Sequence, residues 1–255
     1  MNTNNNKIGP IGIFDSGYGG LTILNSIRKK LPQYDYLYLG DNARAPYGPR
    51  SFNIVYRFTL EAVKHLFEQG CNLVILACNT ASAKALRTIQ QNDLPNIDPN
   101  KRVLGVIRPT VEKIGAISKS GNIGILGTSG TVQSKSYDME INKLYPDFNV
   151  YSQSCPIWVP LVENLEANGD GADFFVKKYI NELLSQSKDI DSIILGCTHY
   201  PHIKDKIQSY FPNAVLIDGN IGVANRVKYM LETNNLLTES KTEGNVEFIQ
   251  TKKED

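Results

Sequence analysis

Short runs of β-branched and other apolar residues alternate along the chain with longer stretches whose apolar positions recur every three or four residues. That alternation predicts parallel strands joined by helices, an α/β fold. Strands are predicted at 8–14, 34–39, 73–77, 102–107, 122–126, 149–152, 192–195 and 214–217. Leu21, Leu24, Ile27 and Leu31 keep helical spacing, and Phe52, Val55, Tyr56, Thr59, Val63, Leu66 and Phe67 mark a longer helix with Ser51 as its N-cap.

Within this pattern the chain echoes itself. IGIFDSG from Ile11 and IGILGTSG from Ile123 both read as a strand running into a turn of Gly, Ser and Thr. Each is followed by an apolar strand ending in cysteine, LVILACNT at Cys78 and SIILGCTH at Cys197. The repeated order predicts two similar parallel-sheet, flavodoxin-like domains related by internal duplication, with a crevice between them. The expected boundaries are 8–106 with a returning segment 216–250 for the first domain and 107–215 for the second, joined near Val106 to Thr110, with loose tails at 1–7 and 251–255. The returning segment includes a strand-like stretch from Val246 to Ile249.

Charge narrows the partners. Lys plus Arg number 27 against 26 Asp plus Glu, a formal net charge of +1, so no broad basic field exists to attract nucleic acid or an anionic membrane. No apolar run approaches the roughly 20 residues of a membrane-spanning helix. The opening MNTNNNK lacks the apolar segment of a secretory signal, which makes the cytoplasm the expected location. Cys71, Cys78, Cys155 and Cys197 are too few and too scattered for a disulfide scaffold and are expected to be free thiols.

In parallel α/β sheets, ligands bind beyond the carboxyl ends of strands, where the chemically suggestive residues of this chain gather. Asp15, Ser16 and Gly17 follow the first strand, and the glycines at 17, 19 and 20 allow a tight turn with exposed amides. Neither the GxGxxG spacing nor a Walker lysine is present, so nucleotide binding is disfavoured. GDNARAPYGPR after the second strand reads as a long shaped loop. Cys78 and Cys197 each open a helix, where a thiolate is stabilised, and His199 stands two residues from the second sulfur. Cys78, Cys197 and His199 could hold zinc, the two thiols could form a long-range redox pair, or they could flank a small substrate as the two bases of an isomerase. Cys71 and Cys155 read as structural, and His65 and His202 as surface or packing residues.

These strings together resemble the bacterial glutamate racemases. The resemblance runs through IGIFDSGYGGLTIL, YLGDNARAPYG, LVILACNTASAKAL, IGILGTSGTVQS, CPIWVPLVE and LGCTHYPHI, in the family order and over nearly the whole chain. It implies cofactor-independent interconversion of L- and D-glutamate for peptidoglycan synthesis, with no metal. By resemblance Cys78 and Cys197 are the catalytic acid/base pair, Asp15 assisting the first and His199, backed by Glu163, assisting the second. Substrate contacts would come from Asp15, Ser16, Tyr47, Gly48, Asn79, Thr80, Thr128, Thr131, Thr198 and His199, with Asp41 nearby. A homodimer is expected. The sequence departs from many relatives at Asn42, Ala45, Arg108 and Thr110, the last two beside the expected hinge. A catalytically silent binding or regulatory descendant is the alternative, and retention of both cysteines argues against it.

Overall fold

Alternate residues of a strand face opposite sides of its sheet, and here both sides are apolar, so each sheet needs cover on both faces. The computed structural model describes residues 9–234, 236–238, 240 and 242–251; Ile8, the expected tail 1–7 and all but Thr251 of the expected tail 251–255 lie outside them. The first sheet contains β1 (Ile11–Asp15), β2 (Tyr36–Gly40), β3 (Leu73–Leu76), β4 (Arg102–Gly105) and β9 (Val246–Gln250). The second contains β5 (Asn122–Gly127), β6 (Asn149–Ser154), β7 (Ser192–Gly196) and β8 (Val215–Ile217). All pairings are parallel.

Strand order is β4-β3-β1-β2-β9 in one sheet and β6-β5-β7-β8 in the other. Read from the opposite edge, the second becomes β8-β7-β5-β6, the same permutation as β4-β3-β1-β2. An inherited duplication would leave this order, and it supports that expectation.

One face of the first sheet presents Ile11, Ile13, Tyr36 and Ile75 to the helices Leu21–Lys30 and Asn220–Thr233. Its other face packs Phe14, Leu37, Val74 and Leu76 against Val55, Val63 and Leu66 of the helix Phe52–Glu68. That helix begins as expected, with Ser51 Oγ accepting from the Ile54 amide at 3.4 Å. The second sheet repeats the scheme, with Val176, Ile180 and Leu183 on one side and Tyr137 and Ile141 on the other.

Two junctions are more ordered than an open connection or tail. The stretch from Val106 to Thr110, expected to join the domains, runs into a helical turn, Ile107–Val111. Thr251, expected in a loose tail, is held: its amide donates to Gly40 O at 3.1 Å and its hydroxyl to Asp41 Oδ1 at 2.7 Å. β9 adds itself to the edge of β2 and carries Thr251 to that point.

Candidate active site

β1, β3, β5 and β7 occupy interior positions in their sheets, and the chain leaves each carboxyl end through a turn rich in small polar residues. A cavity of about 140 Å³ lies between these ends. The first sheet contributes Ser16, Tyr47, Gly48, Cys78, Asn79 and Thr80; the second contributes Thr128, Glu163, Cys197, Thr198 and His199. Both cysteines line the same space, one from each half.

Cys78 caps the helix Asn79–Lys84, and its sulfur accepts from the Ala81 amide at 3.5 Å with Ser16 Oγ also 3.5 Å away. Such donors favour a thiolate, as the sequence suggests. Burial outweighs them: with only 5% of the residue exposed, desolvation and then the nearby Asp15 carboxyl push the thiol up to about 11. Cys197 is pushed up further, by burial first, and Cys78 contributes to that rise. Two thiolates side by side are therefore disfavoured, and the pair prefers at most one negative charge.

The two sulfurs have unlike neighbours. Cys197 Sγ lies 3.8 Å from His199 Nδ1, and Nε2 of the same ring is 2.6 Å from Glu163 Oε1. Glu163 reaches toward solvent, so this row leads from the buried thiol outward. Asp15 is fully buried, and desolvation raises its carboxyl against the opposing effects of His199 and of donors at Gly17, Gly20 and Thr198. The Gly17 amide donates to Asp15 Oδ2 at 3.0 Å, and Thr198 Oγ1 donates to Oδ1 at 3.5 Å.

Asp15 and Thr131, expected among the substrate contacts, stand behind the cavity wall. Thr131 closes a triangle of hydroxyls with Thr80 and Thr128, at separations of 2.9, 3.1 and 3.3 Å, that spans the two halves. Tyr47 lines the cavity, but its hydroxyl donates to Asp41 Oδ2, so the ring and backbone face inward without a free O–H donor. The Gly130 amide donates to Gly48 O at 2.9 Å, pinning the Tyr47 loop to the opposite half. At Gly19 a side chain would be impossible without rearrangement, because a Cβ would fall 2.4 Å from Thr198 Oγ1 and 2.9 Å from the His199 ring.

Several participants are not singled out as site residues in the sequence. Pro156, Val159 and Pro160 supply apolar wall, and Tyr137 donates to Asn79 Oδ1 at 2.6 Å from outside it. That bond leaves the Asn79 amide nitrogen free to point elsewhere. Cys71 and Cys155 are buried in the cores and do not line the cavity, and neither His65 nor His202 lines it. Among the described residues no Lys or Arg side chain lines the cavity, and no group of three His, Cys, Asp or Glu is arranged to hold a metal ion. The donors are hydroxyls, amides and helix starts, a set suited to a ligand bearing carboxylates.

Comparison with known proteins agrees with this geometry. Residues 21–226 match the Asp/Glu/Hydantoin racemase family. The chain is 43% identical to a glutamate racemase of Persephonella marina over 215 residues, 84% of this chain and 79% of that one. It is 39% identical to a glutamate racemase of Geobacter metallireducens over 241 residues, 94% of this chain and 86% of that one. Among solved structures, glutamate racemase isoform RacE1 of Bacillus anthracis superposes with a TM-score of 0.89 at 33% identity, covering 96% of this chain and 90% of that one. The Francisella tularensis glutamate racemase in complex with D-glutamate gives 0.87 at 33% identity, covering 96% and 89%.

Proposed function

The chain belongs to the Asp/Glu/hydantoin racemase family, and on that premise we propose that it interconverts L- and D-glutamate by passing the Cα proton between Cys78 and Cys197. The observation that carries this reading is the convergence of the two thiols, from separate sheets, on one cavity. Inversion at carbon requires a base on one face and an acid on the other, and the two exchange roles when the reaction reverses.

Glutamate enters with an ammonium group and two carboxylates. A cation beside the thiols lowers the cost of forming a thiolate, offsetting the burial that holds both up. One thiolate then takes the Cα proton while the opposite thiol delivers its own. Charge developing on the α-carboxylate meets fixed donors from Asn79, Thr80 and Thr128, preorganised with little solvent to reorient. Asp15 assists Cys78 from beneath, its carboxyl raised above the ordinary carboxylate value by burial. In the tautomer that donates Nε2–H to Glu163, His199 Nδ1 is the acceptor facing Cys197 and can take its proton.

No cofactor takes part under this reading. D-Glutamate formed in the cytoplasm supplies peptidoglycan synthesis, and the active form is a homodimer. Among the described residues no helix is long and apolar enough to cross a membrane.

The test is direct: reduced, purified protein is mixed with L-glutamate alone and optical rotation is followed. Rotation decays toward zero, glutamate slows alkylation of Cys78 and Cys197, and light scattering reports a dimer. A folded, reduced sample that leaves the rotation unchanged overturns the racemase reading and favours a silent descendant.

A further inference from the structure

Asp41 begins the loop that follows β2 and is 1% exposed, yet it does not line the cavity. Its carboxylate is nonetheless fully engaged. Oδ2 accepts from the Tyr47 hydroxyl and from Arg44 Nε at 2.7 Å, and Oδ1 accepts from Thr251 Oγ1 at 2.7 Å. The Thr251 hydroxyl in turn accepts from the Ala43 amide at 3.1 Å. Arg44 extends the assembly to Glu61 at 2.5 Å and lies over the Phe58 ring, which also packs against Tyr47.

A single hydroxyl from a residue 210 positions away in sequence therefore satisfies two groups of this loop, a buried carboxylate oxygen and a backbone amide. Buried polar groups left without partners are costly, so the loop conformation that brings Tyr47 and Gly48 into the cavity wall depends on this hydroxyl. We propose that Thr251 is a positioning residue for the racemisation inferred above, holding the Tyr47–Gly48 wall in place through Asp41. It acts on the wall from outside the site. A loosened wall weakens contacts made equally in the ground and transition states, so the effect falls on KM more than on kcat.

Thr251→Val removes the hydroxyl but keeps the side-chain shape and the backbone bond from residue 251 to Gly40. In this variant KM for both glutamate isomers rises about fivefold, the equivalent of one lost hydrogen bond, with kcat changed less than about twofold. Thr251→Ser restores the wild-type KM. Tyr47→Phe, which severs the next link, raises KM as well, and adding Thr251→Val to it produces no further rise. Amide exchange across residues 42–50 quickens in Thr251→Val and not in Thr251→Ser, a readout independent of turnover.

An unchanged KM with unchanged exchange overturns the proposal. So do fully additive effects in the double variant, or a serine variant that resembles valine. If wild-type protein binds no glutamate and turns none over, the racemase reading fails, and amide exchange then decides the tether by itself.

Discussion

Thr198 Oγ1 lies 3.5 Å from Asp15 Oδ1, so the residue after the second cysteine is hydrogen-bonded to the carboxyl that underlies the first. The two residues come from opposite sheets. This contact, with the hydroxyl triangle of Thr80, Thr128 and Thr131, joins the halves directly behind the cavity rather than only at their rims. Positions of the two thiols are thereby coupled, and a change on one side is felt at the other.

Gly19 tests that coupling. Gly19→Ala drives a methyl group into Thr198 Oγ1 and the His199 ring, both of which line the cavity. A displacement approaching one ångström at such groups is expected to cost on the order of a hundredfold in kcat/KM, while thermal stability falls far less. Steady-state kinetics alongside a melting curve separate the two. Wild-type turnover in Gly19→Ala would show that Thr198 and His199 tolerate displacement.

Division of labour between the thiols is read from variants that break only one of them. Cys78→Ser and Cys197→Ser should each lose racemisation by roughly a thousandfold, since serine is a poor acid/base substitute for a thiol. A glutamate carrying chlorine at C3 requires only the first proton abstraction to eliminate chloride. Cys78→Ser should eliminate from the L isomer and Cys197→Ser from the D isomer. The reverse preference exchanges the assigned faces.

Stability should respond to pH at both ends of the scale, with opposite signs. Burial raises Cys78 to about 11 and Cys71 to about 12 from an ordinary thiol value of 9.0. A raised folded-state value means stability present below pH 9 and lost as pH climbs through 11 and 12. Buried tyrosines such as Tyr36 add to the loss above pH 10. Asp191 behaves oppositely: burial disfavours its charge, but donors from Ser118, Ser120 and Lys119 prevail and lower it from 3.8 to about 2. Its contribution is present above pH 3.8 and lost as pH falls through about 2. Urea midpoints across both windows check this. Cys71→Ala should flatten the alkaline slope, and Asp191→Asn should weaken the protein at neutral pH but not near pH 2.

Much of this was legible in the sequence because each feature is local. Strand ends announced by FDSG, ACNT, LGTSG and GCTH place most of the polar wall, and Ser51 heads its helix as the pattern implies. What escaped depends on distance or on residue types without distinctive chemistry. Pro156, Val159 and Pro160 are ordinary apolar residues until the fold turns them toward the cavity. Tyr137 meets Asn79 across 58 positions, and Thr251 meets Asp41 across 210. The helix-start preference for a thiolate at Cys78 was sound as a local rule, but it was overruled by desolvation, which only the packed structure expresses. The resemblance counts Asp15 among both the catalytic and the substrate-contacting residues; packing turns its side chain inward under Thr198, behind the cavity wall, an orientation no local pattern expresses.

The unequal company of the two sulfurs, a serine hydroxyl at Cys78 and a histidine–glutamate pair at Cys197, has a kinetic meaning. The enantiomers of glutamate have identical free energies in water, so kcat/KM must be the same in both directions whatever the protein does. Asymmetry between the faces can therefore change kcat and KM only together, by one common factor for each isomer. A cavity with two differently furnished walls is thus free to hold one enantiomer tightly and turn it over slowly while treating its mirror image the other way. The cell's concentrations of each isomer, rather than any thermodynamic preference, then decide which wall more often supplies the base.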